Sequence, residues 1–154
     1  MARTSLFLAA AILLSAVAGQ ASAAQCRDAA GIRVSLFVEA DPGQIEASAS
    51  AGAQVVELHT GAYCDAVRDR NEALAAAKLD ALRRAAGQAE QLGLEVHAGH
   101  GIDYETVKAV AAIPEVVELN IGHFLIGEAI FIGLGPAIQR MRALMDEARA
   151  TKAA

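Results

Sequence analysis

Short apolar runs alternate along the chain with segments that have the spacing of amphipathic helices. After residue 30, β-branched and apolar runs predict strands at residues 34–38, 55–59, 95–98 and 117–121. Helical spacing, with glycine or proline near the boundaries, predicts helices at residues 44–51, 71–92, 104–112, 124–131 and 136–150. This alternation predicts an α/β fold with a parallel sheet, right-handed crossovers and helices on one outer face.

Four such units make about half of an eight-unit TIM-type (β/α) barrel or a small open sheet, and periodicity does not choose between the two. Strands covered on both faces read as near-continuous apolar runs, and these strands largely do. Glu57 and Glu118 are the exceptions, because each lies mid-strand among apolar neighbours. Since burying an unpaired carboxylate is costly, we expect both to face a polar interior or a site.

Histidines mark the ends of the predicted strands. His59, His100 and His123 lie at or just past three strand ends, whereas the fourth histidine, His97, lies inside a strand. In a parallel α/β fold the carboxyl ends of the strands share one rim, where ligands bind. Imidazole titrates near neutrality, so these residues favour proton transfer or phosphate recognition. The alternative is that some of them are satisfied polar groups at a sheet edge.

Two loops repeat a glycine–histidine pattern directly after a strand. Gly99, His100 and Gly101 follow the third predicted strand, and Gly122 and His123 follow the fourth and open a helix. Glycines let backbone amides approach an anion, and the free amides of a helix N-terminus favour negative charge. We therefore predict a phosphate site built from both loops, although tight-turn geometry explains any single glycine equally well.

Further polar residues surround this predicted rim. Glu57 and His59 share one face of the second strand because alternate residues of a strand point to the same side. An ionisable residue inside a barrel is more often part of a site, although a Glu–Arg or Glu–Lys pair is an alternative for Glu57. We predict Asn120 as a hydrogen-bond donor beside the anion, and Tyr63 and Tyr104 as packing residues of the rim.

Composition narrows the classes of function. The 154 residues carry a net charge of −5, with 55% hydrophobic residues, 4% aromatic residues and no tryptophan. Because the chain has no basic tract and few aromatic side chains for base stacking, we expect no nucleic-acid partner. It has neither a CxxC nor a His-x-x-x-His spacing, so we predict no metal site, and no motif indicates a cofactor.

The first residues have the pattern of a secretory signal. Arg3 precedes an apolar run over residues 6–17, and alanine, serine and alanine at residues 21–23 supply a small-residue cleavage site. The run is too short for a comfortable membrane span, so we expect none. The alternative is a misassigned N-terminal segment. The predicted organisation is a signal-like segment at 1–23, a linker at 24–30 and a (β/α) half-barrel at 31–154.

Four motifs in register carry a resemblance to a known family. They are GIRVSLF at residues 31–37, ELHTG at 57–61, AGHG at 98–101 and ELNIGH at 118–123. In the order and spacing of these motifs, and in the stretch 141–149, the chain closely resembles pyridoxine 5'-phosphate synthase from about Ala29 to its end. Four motifs in register are far more specific than a lone glycine motif.

The resemblance implies a transferase of vitamin B6 biosynthesis that is an eight-unit barrel, cytoplasmic and homo-oligomeric. It implies condensation of 3-amino-2-oxopropyl phosphate with 1-deoxy-D-xylulose 5-phosphate to pyridoxine 5'-phosphate, inorganic phosphate and water, so small phosphorylated substrates are the expected partners. By position, His100 matches the family's proton donor and Glu57 the residue assigned to transition-state stabilisation. Gly101, Gly122 and His123 match contacts to the amino-ketone phosphate.

The first half of that family, which supplies further strands and another histidine and glutamate acting as bases, has no counterpart before Ala29. We therefore expect a truncated or incomplete form of the enzyme. Two alternatives stay open: an inactive remnant that keeps a phosphate-binding rim, and an exported binding protein with a barrel-derived segment. The signal-like residues favour export. The family favours the cytoplasm, and we weight it more because its phosphorylated substrates are made there.

Overall fold

The computed structural model describes residues 31–150. The signal-like segment at 1–23 and the linker at 24–30 lie outside the described residues. Within them, four strands form one sheet in the order β1-β2-β3-β4, and each neighbouring pair is parallel. The strands are β1 (Ser35–Val38), β2 (Val55–His59), β3 (Glu95–Gly99) and β4 (Val116–Asn120). The predicted parallel sheet is therefore confirmed, and no predicted strand limit is off by more than one residue.

Helices follow the strands along the described chain. They are α1 (Pro42–Ser50), α2 (Gly61–Arg68), α3 (Glu72–Gln91), α4 (Val107–Ala111), α5 (His123–Ile132) and α6 (Leu134–Ala150). Side-chain caps begin two of them. Asp41 accepts a hydrogen bond from the Gln44 amide at 3.1 Å, and Asn71 accepts one from the Leu74 amide at 3.1 Å. Each cap satisfies an amide that has no partner inside its helix.

The helix α2 was not predicted from the sequence. It begins at Gly61, a residue that reads as a turn signal, and Thr60 at its N-cap does not cap it with its side chain. The Thr60 hydroxyl instead lies 2.8 Å from the Gly99 carbonyl oxygen and 2.6 Å from that of His100. Thr60 is thus a residue type that commonly precedes a helix, but its hydroxyl bonds the neighbouring loop after β3 instead of capping α2.

The helix α4 is shorter than the predicted helix at 104–112. The Asp103 carboxylate accepts hydrogen bonds from the amides of Glu105 and Thr106, each at 2.9 Å. It also accepts one from the Thr106 hydroxyl at 2.8 Å. These bonds close a turn, so the helix starts only at Val107.

Side chains alternate between the two faces of the sheet, and helices cover one of them. Val56, Leu58, Val96 and Ala98 are buried against the helices. On the other face Phe37 is 54% exposed. The predicted outer helix layer is thus confirmed, whereas the expectation of strands covered on both faces is wrong for the described residues. The apolar runs therefore combine two sets of side chains. One set is buried against the helices, and a few others, such as Phe37, lie on the face that would point into the interior of a barrel.

The core lies between the sheet and the helices. Its large buried side chains come from every layer, and they are Ile45, Leu58, Leu82, Val96, Val107, Val110, Ile113, Val116 and Met141. Burying a side chain of this size contributes about 1.5–3 kcal/mol. On the predicted apolar face of α3, Leu82, Ala85 and Ala89 are buried, but Leu74 and Leu92 at the ends are exposed. Core contacts therefore involve the second half of α3 most.

The segment that runs from α5 into the start of α6 differs from the other helices because it carries large apolar side chains at exposed positions. No residue of α5 is fully buried, and Ile126, Ile130 and Phe131 are all exposed, the last by 84%. Leu134 and Ile138 of α6 continue this surface. Among residues 31–150 no helix has both the length and the apolar character that crossing a bilayer requires.

Candidate active site

A row of side chains crosses the uncovered face of the sheet at one level. Phe37 of β1 is in register with Glu57 of β2, which is in register with His97 of β3, and His97 with Glu118 of β4. An irregularity between β3 and β4 makes Val117 an extra residue and thereby brings Glu118 opposite His97. Neighbouring strands lie about 4.8 Å apart, so two carboxylates flank one imidazole. The polar surroundings expected for both glutamates are therefore present.

The Glu57 carboxylate lies in space that Gly99 leaves open. At the next level of the sheet Gly99 is paired with His59 on one side and Asn120 on the other. A Cβ on Gly99 would collide with Glu57 Oε1 and lie 3.0 Å from the Asn120 carbonyl oxygen. Asn120 Nδ2 donates a hydrogen bond to Glu57 Oε2 at 2.8 Å. The partner of Glu57 among the described residues is thus this amide rather than an arginine or lysine. The contact of Asn120 with an anion stays a prediction, because its Nδ2 carries a second hydrogen.

His97 lies between two acidic side chains on the same face of the sheet, those of Glu95 and Glu118. Its Nε2 lies 2.8 Å from Glu95 Oε1, and its Nδ1 lies 3.4 Å from Glu118 Oε1. Arg33 donates a hydrogen bond to the other Glu95 oxygen at 2.9 Å. The bonds from Arg33 and His97 lower the pKa of the Glu95 carboxyl below its usual value. This cluster therefore links β3 and β4 to the segment before β1 through charge-assisted contacts.

The loop after β3 presents His100 in a strained backbone conformation. His100 has a φ of 76° and Gly101 one of 82°, both in the left-handed region. For a residue with a Cβ this conformation costs roughly 1–2 kcal/mol. The buried Thr60 holds the loop, since its hydroxyl reaches the Gly99 and His100 carbonyls and its amide donates to the Gly99 carbonyl at 2.9 Å. Such strain is common where a side chain must be presented to a ligand.

His59 lies beside His100 at the same rim. Its Nδ1 is 2.6 Å from Glu39 Oε1, and the two imidazole rings have centroids 4.8 Å apart with an edge-on orientation. Phe37 packs against His59 at 5.1 Å between centroids. Gly61 permits this arrangement, because a Cβ there would lie 2.7 Å from His59 Nε2. The sequence predicts a shared rim for the two histidines, and the structure places their rings in contact.

The loop after β4 is open by contrast. Gly122 is the N-cap of α5, and His123 is its first residue, one position earlier than predicted. Apart from its two chain neighbours, no heavy atom of residues 31–150 lies within 4 Å of the position of a Cβ on Gly122. The first amides of a helix have no partner within it and favour an anion. The local geometry therefore has room and donors for a phosphate at this end of the rim.

A cavity of about 570 Å³ at the rim joins the loops after β2, β3 and β4. Its lining consists of His59, Asp65, Arg68, His100, Gly101, Ile102, Asp103, Ile121, His123 and Phe124. This volume lies within the range of small-molecule sites, about 300–1,000 Å³. The structure thus brings three predicted residues, His100, Gly101 and His123, to one cavity. Glu57 and Gly122 are not among the residues that line it, and each lies within two residues of one that does.

Sequence reasoning missed three charged residues of this cavity. Arg68 and Asp65 belong to α2 and form an ion pair with each other, and Asp103 lies in the turn before α4. The spacing of Asp65 and Arg68 is i,i+3, which is typical of paired charges on a helix surface. That spacing is the signal that could have revealed α2, and Arg68 with it.

The buried residues near the rim act through packing. Cys64 lies 3.3 Å, at its Cβ, from where a Cβ of Gly101 would be, and burial raises the pKa of the Cys64 thiol. A neutral thiol is a poor nucleophile. Burial also raises the pKa of Tyr63. Tyr104 donates a hydrogen bond to the Ala137 carbonyl at 3.1 Å and packs on Phe124. The structure thus places both tyrosines in packing positions, as predicted.

A larger hollow lies on the helix side of the molecule. It measures about 700 Å³ and is lined by Arg83, Lys108, Ala109, Ala112, Ile113, Pro114, Glu115 and Ala148. The cations Arg83 and Lys108 are paired with Asp80 and Glu147 at 2.9 and 2.8 Å. Its lining holds no histidine, so the smaller cavity at the rim is the better candidate site. Among residues 31–150 no three or more His, Cys, Asp or Glu side chains are grouped to hold a metal ion.

The chain has a parallel sheet, an outer helix layer and a polar cavity at the carboxyl ends of its strands. These features place it in the class of (β/α)-barrel type proteins. Within that class, the family model described as pyridoxal phosphate biosynthesis protein PdxJ matches residues 15–147. The chain belongs to this family. The match begins at residue 15. The resemblance that the four motifs carry begins later, at about Ala29.

Named relatives support the same family. The chain is 70% identical over 125 residues to the pyridoxine 5'-phosphate synthase of Caulobacter sp. strain K31, covering 81% of this chain and 50% of the relative. It is 64% identical over 120 residues to that of Ruegeria pomeroyi, covering 78% and 48%. It is 62% identical over 122 residues to that of Xanthobacter autotrophicus, covering 79% and 48%. The chain thus spans about half the length of the curated relatives it matches.

Proposed function

We propose that this chain carries the proton-donor half of a pyridoxine 5'-phosphate synthase site. The reaction would condense 3-amino-2-oxopropyl phosphate with 1-deoxy-D-xylulose 5-phosphate. The observation that carries the proposal is the rim cavity, where His100, Gly101 and His123 meet in a chain 62–70% identical to relatives of that name. A condensation that expels water and phosphate needs several proton transfers, and an imidazole at the mouth of the cavity suits them.

The proposed roles follow from the chemistry of each group. An amine that condenses with a ketone passes through a cationic imine, and the Glu57 carboxylate, held by Asn120, would stabilise that charge. His100 would give a proton to the oxygen that leaves as water. The amides near Gly101, Gly122 and His123 would hold the amino-ketone phosphate at the start of α5.

Complementation of a pyridoxine auxotroph tests this proposal. Growth without pyridoxine with the unaltered chain, and none with His100→Ala, would support catalysis by this chain, because a general acid contributes about 10²–10⁴-fold to such steps. Glu57→Gln should slow growth while keeping the size of the side chain. Circular dichroism of both variants separates loss of chemistry from loss of fold. Equal growth with His100→Ala and with the unaltered chain would contradict the proposed role.

A second candidate is an inactive protein that keeps only a phosphate-binding rim. The observation that favours it is that the proposed phosphate contacts come from two adjacent loops, both within the described residues, in a chain that spans half of its relatives. Calorimetric titration with inorganic phosphate, together with a turnover assay, distinguishes the two. Binding without turnover favours the second candidate, and turnover favours the first.

We also propose that the chain associates with further copies of itself. The exposed apolar side chains Ile126, Ile130 and Phe131 on α5 support this, since apolar patches of this kind commonly mark association surfaces. Sedimentation velocity should show a species larger than the 15.9 kDa chain. Ile130→Glu should shift the distribution toward that mass. A single species of that mass for the unaltered chain over a wide concentration range would contradict self-association.

For location we propose the cytoplasm, because the phosphorylated substrates of the family are made there. The alternative is export directed by residues 1–23. Cell fractionation with N-terminal sequencing of the mature protein decides between them. A processed product that begins at Ala24 in the periplasm or medium would contradict a cytoplasmic location.

A further inference from the structure

His59 is the most constrained imidazole at the rim. Its Nδ1 lies 2.6 Å from Glu39 Oε1, and an ionised carboxylate can only accept a hydrogen bond. The proton of a neutral His59 ring therefore resides on Nδ1. The opposite nitrogen, Nε2, faces Gly61, where a Cβ would lie only 2.7 Å away. Glu39 thus sets both the tautomer of His59 and the direction in which its second nitrogen points.

The ring of His100 packs directly on this fixed ring. The two centroids are 4.8 Å apart with an interplanar angle of 67°, and Phe37 lies 6.3 Å from His100 and 5.1 Å from His59. A Cβ on Gly61, which would be close to His59 Nε2, would also lie 3.3 Å from His100 Cδ2. Because Gly61 has no Cβ, the two imidazole rings can pack against each other at this point. His59 is the wall against which the exposed His100 side chain rests.

His59 also separates two hollows of the molecule. It lines the rim cavity together with His100, and it lines a smaller hollow of about 210 Å³ on the side of Glu39. Its side chain is 25% exposed, so water reaches it only in part. The charged or titratable groups around these two hollows are Glu39, Tyr63, Lys78, Asp65, Arg68, Asp103, His100 and His123.

From this geometry we propose that Glu39 and His59 form a positioning pair for His100. Glu39 fixes the tautomer and plane of the His59 ring, and His59 fixes the ring of the proton donor at the cavity wall. A carboxylate that orients an imidazole, which in turn acts on a reacting group, is a recurring arrangement in catalytic sites. The proposal rests on the proposed function for the role of His100 as donor. The contact itself is independent of that role.

Nuclear magnetic resonance of the imidazole nitrogens in the full chain tests the contact without any turnover. At alkaline pH, where the rings are neutral, we expect His59 to carry its proton on Nδ1. Glu39→Leu removes the acceptor, so the proton should move to Nε2 and the ring signals of His100 should shift. Glu39→Gln keeps an acceptor oxygen and should preserve both. Single His→Gln variants assign the signals of the four rings.

Glu105→Leu is the matched control for the loss of an exposed glutamate. The Glu105 side chain is 56% exposed and pairs with Arg70 at 3.2 Å, and that of Glu39 is 57% exposed. Both variants remove the same charge and add the same apolar group, so a general surface effect would appear in both. If Glu39→Leu moves the His100 signals no more than Glu105→Leu does, the proposal is overturned. A His59 proton on Nε2 in the unaltered chain would overturn it as well.

Gly61→Ala gives a second test from the opposite side. The added methyl should push the His59 ring away from His100 while alanine remains favourable in α2. In the condensation assay, Glu39→Leu and Gly61→Ala should each lower kcat about tenfold or more, a part of the roughly 10²–10⁴-fold that a general acid supplies. KM should stay within about twofold, since no substrate contact is lost.

The assay and the spectra fail in distinguishable ways. Absence of turnover by the unaltered chain would contradict the proposed function, and the nitrogen spectra would then still decide whether the pair positions His100. Turnover with kcat of Glu39→Leu equal to that of Glu105→Leu would contradict the positioning role alone. Recovery of kcat in Glu39→Gln would support it, because that variant restores the hydrogen bond without the charge.

Discussion

The loops after β3 and after β4 carry the same glycine–histidine pattern but use their glycines for different reasons. At the end of β3 and just after it, Gly99 and Gly101 are both constrained, since a Cβ on Gly99 would meet Glu57 and Asn120 and Gly101 has a φ of 82°. After β4, Gly122 has an ordinary φ of −110°, and within the described part of the chain only its own neighbours lie within 4 Å of a Cβ position. The first loop needs glycine to fold. The second needs it only if a ligand approaches.

A glycine in a sequence pattern can serve the fold or can leave room for a ligand, and the pattern alone does not tell these two roles apart. A glycine that the fold requires shows its importance in the free energy of unfolding. A glycine that leaves room for a ligand shows its importance in binding alone.

Gly99→Ala should have the largest effect. The Glu57 carboxylate can swing away from the new methyl group, but the Asn120 backbone, 3.0 Å away, cannot. We expect the free energy of unfolding to fall by about 1–3 kcal/mol, the usual cost of overpacking. Denaturant titration measures this, with Gly122→Ala as the control, for which we expect a change within about 0.5 kcal/mol. Equal losses in the two variants would remove the distinction between the loops.

Thr60→Val should destabilise the loop after β3 in particular. The substitution keeps the volume but removes the hydroxyl that reaches the Gly99 and His100 carbonyls. We expect a loss of about 1–2 kcal/mol, because an acceptor that loses its donor is costly. Amide hydrogen exchange should become faster in this loop and stay unchanged after β4. Thr60→Ser keeps the hydroxyl and should restore slow exchange, and fast exchange in both variants would contradict the role of the hydroxyl.

Gly122→Val should change binding and leave stability nearly unaltered. A branched side chain at the N-cap of α5 would fill the space above the first amides, so affinity for inorganic phosphate should fall about tenfold, or 1.4 kcal/mol. His123→Ala should weaken binding in the same calorimetric titration. Gly127→Ala, in the same helix and also with open space around it, is the control. Unchanged affinity in Gly122→Val and His123→Ala would leave Gly122 as a turn residue only.

The smallest effect concerns Cys64, which lies beneath the loop after β3. Burial raises the pKa of its thiol above the usual 9.0, so the folded chain keeps this proton to higher pH than the unfolded chain does. The resulting stability is complete below pH 9 and is lost as pH rises through the folded pKa. In urea titrations from pH 7 to pH 10, Cys64→Ala should show a shallower decline than the unaltered chain. Identical declines would show that Cys64 titrates as a solvated thiol.

The strands and most helices could be predicted from sequence because their signals are local. Apolar runs such as the one that ends at His59 are set by side-chain alternation, and caps such as Asn71 mark helix starts. The rim also followed from topology, since parallel strands place their carboxyl ends together. The sequence thereby predicts His100 and His123 at one rim, and the structure places both in the lining of one cavity.

The rest depends on contacts between residues far apart in the chain. The extra residue Val117 sets the register of Glu118 with His97, and nothing local announces it. Asn120 turns to Glu57 only because Gly99 lies between their strands. The helix α2 begins at Gly61, which reads as a turn signal in the sequence, and Thr60 before it bonds another loop instead of capping the helix. In each case a tertiary contact decides what the local pattern leaves open.

The apolar surface from α5 into α6 affects how these variants should be measured. Dyes that fluoresce in contact with hydrocarbon would bind Ile126, Ile130 and Phe131 in the folded protein, so a thermal-shift trace would start bright before any heating. The chain has no tryptophan, which leaves only weak tyrosine emission as an intrinsic optical probe. Far-ultraviolet circular dichroism of the long helices α3 and α6 is therefore the signal to follow, in buffers chosen to discourage sticking to plastic and glass.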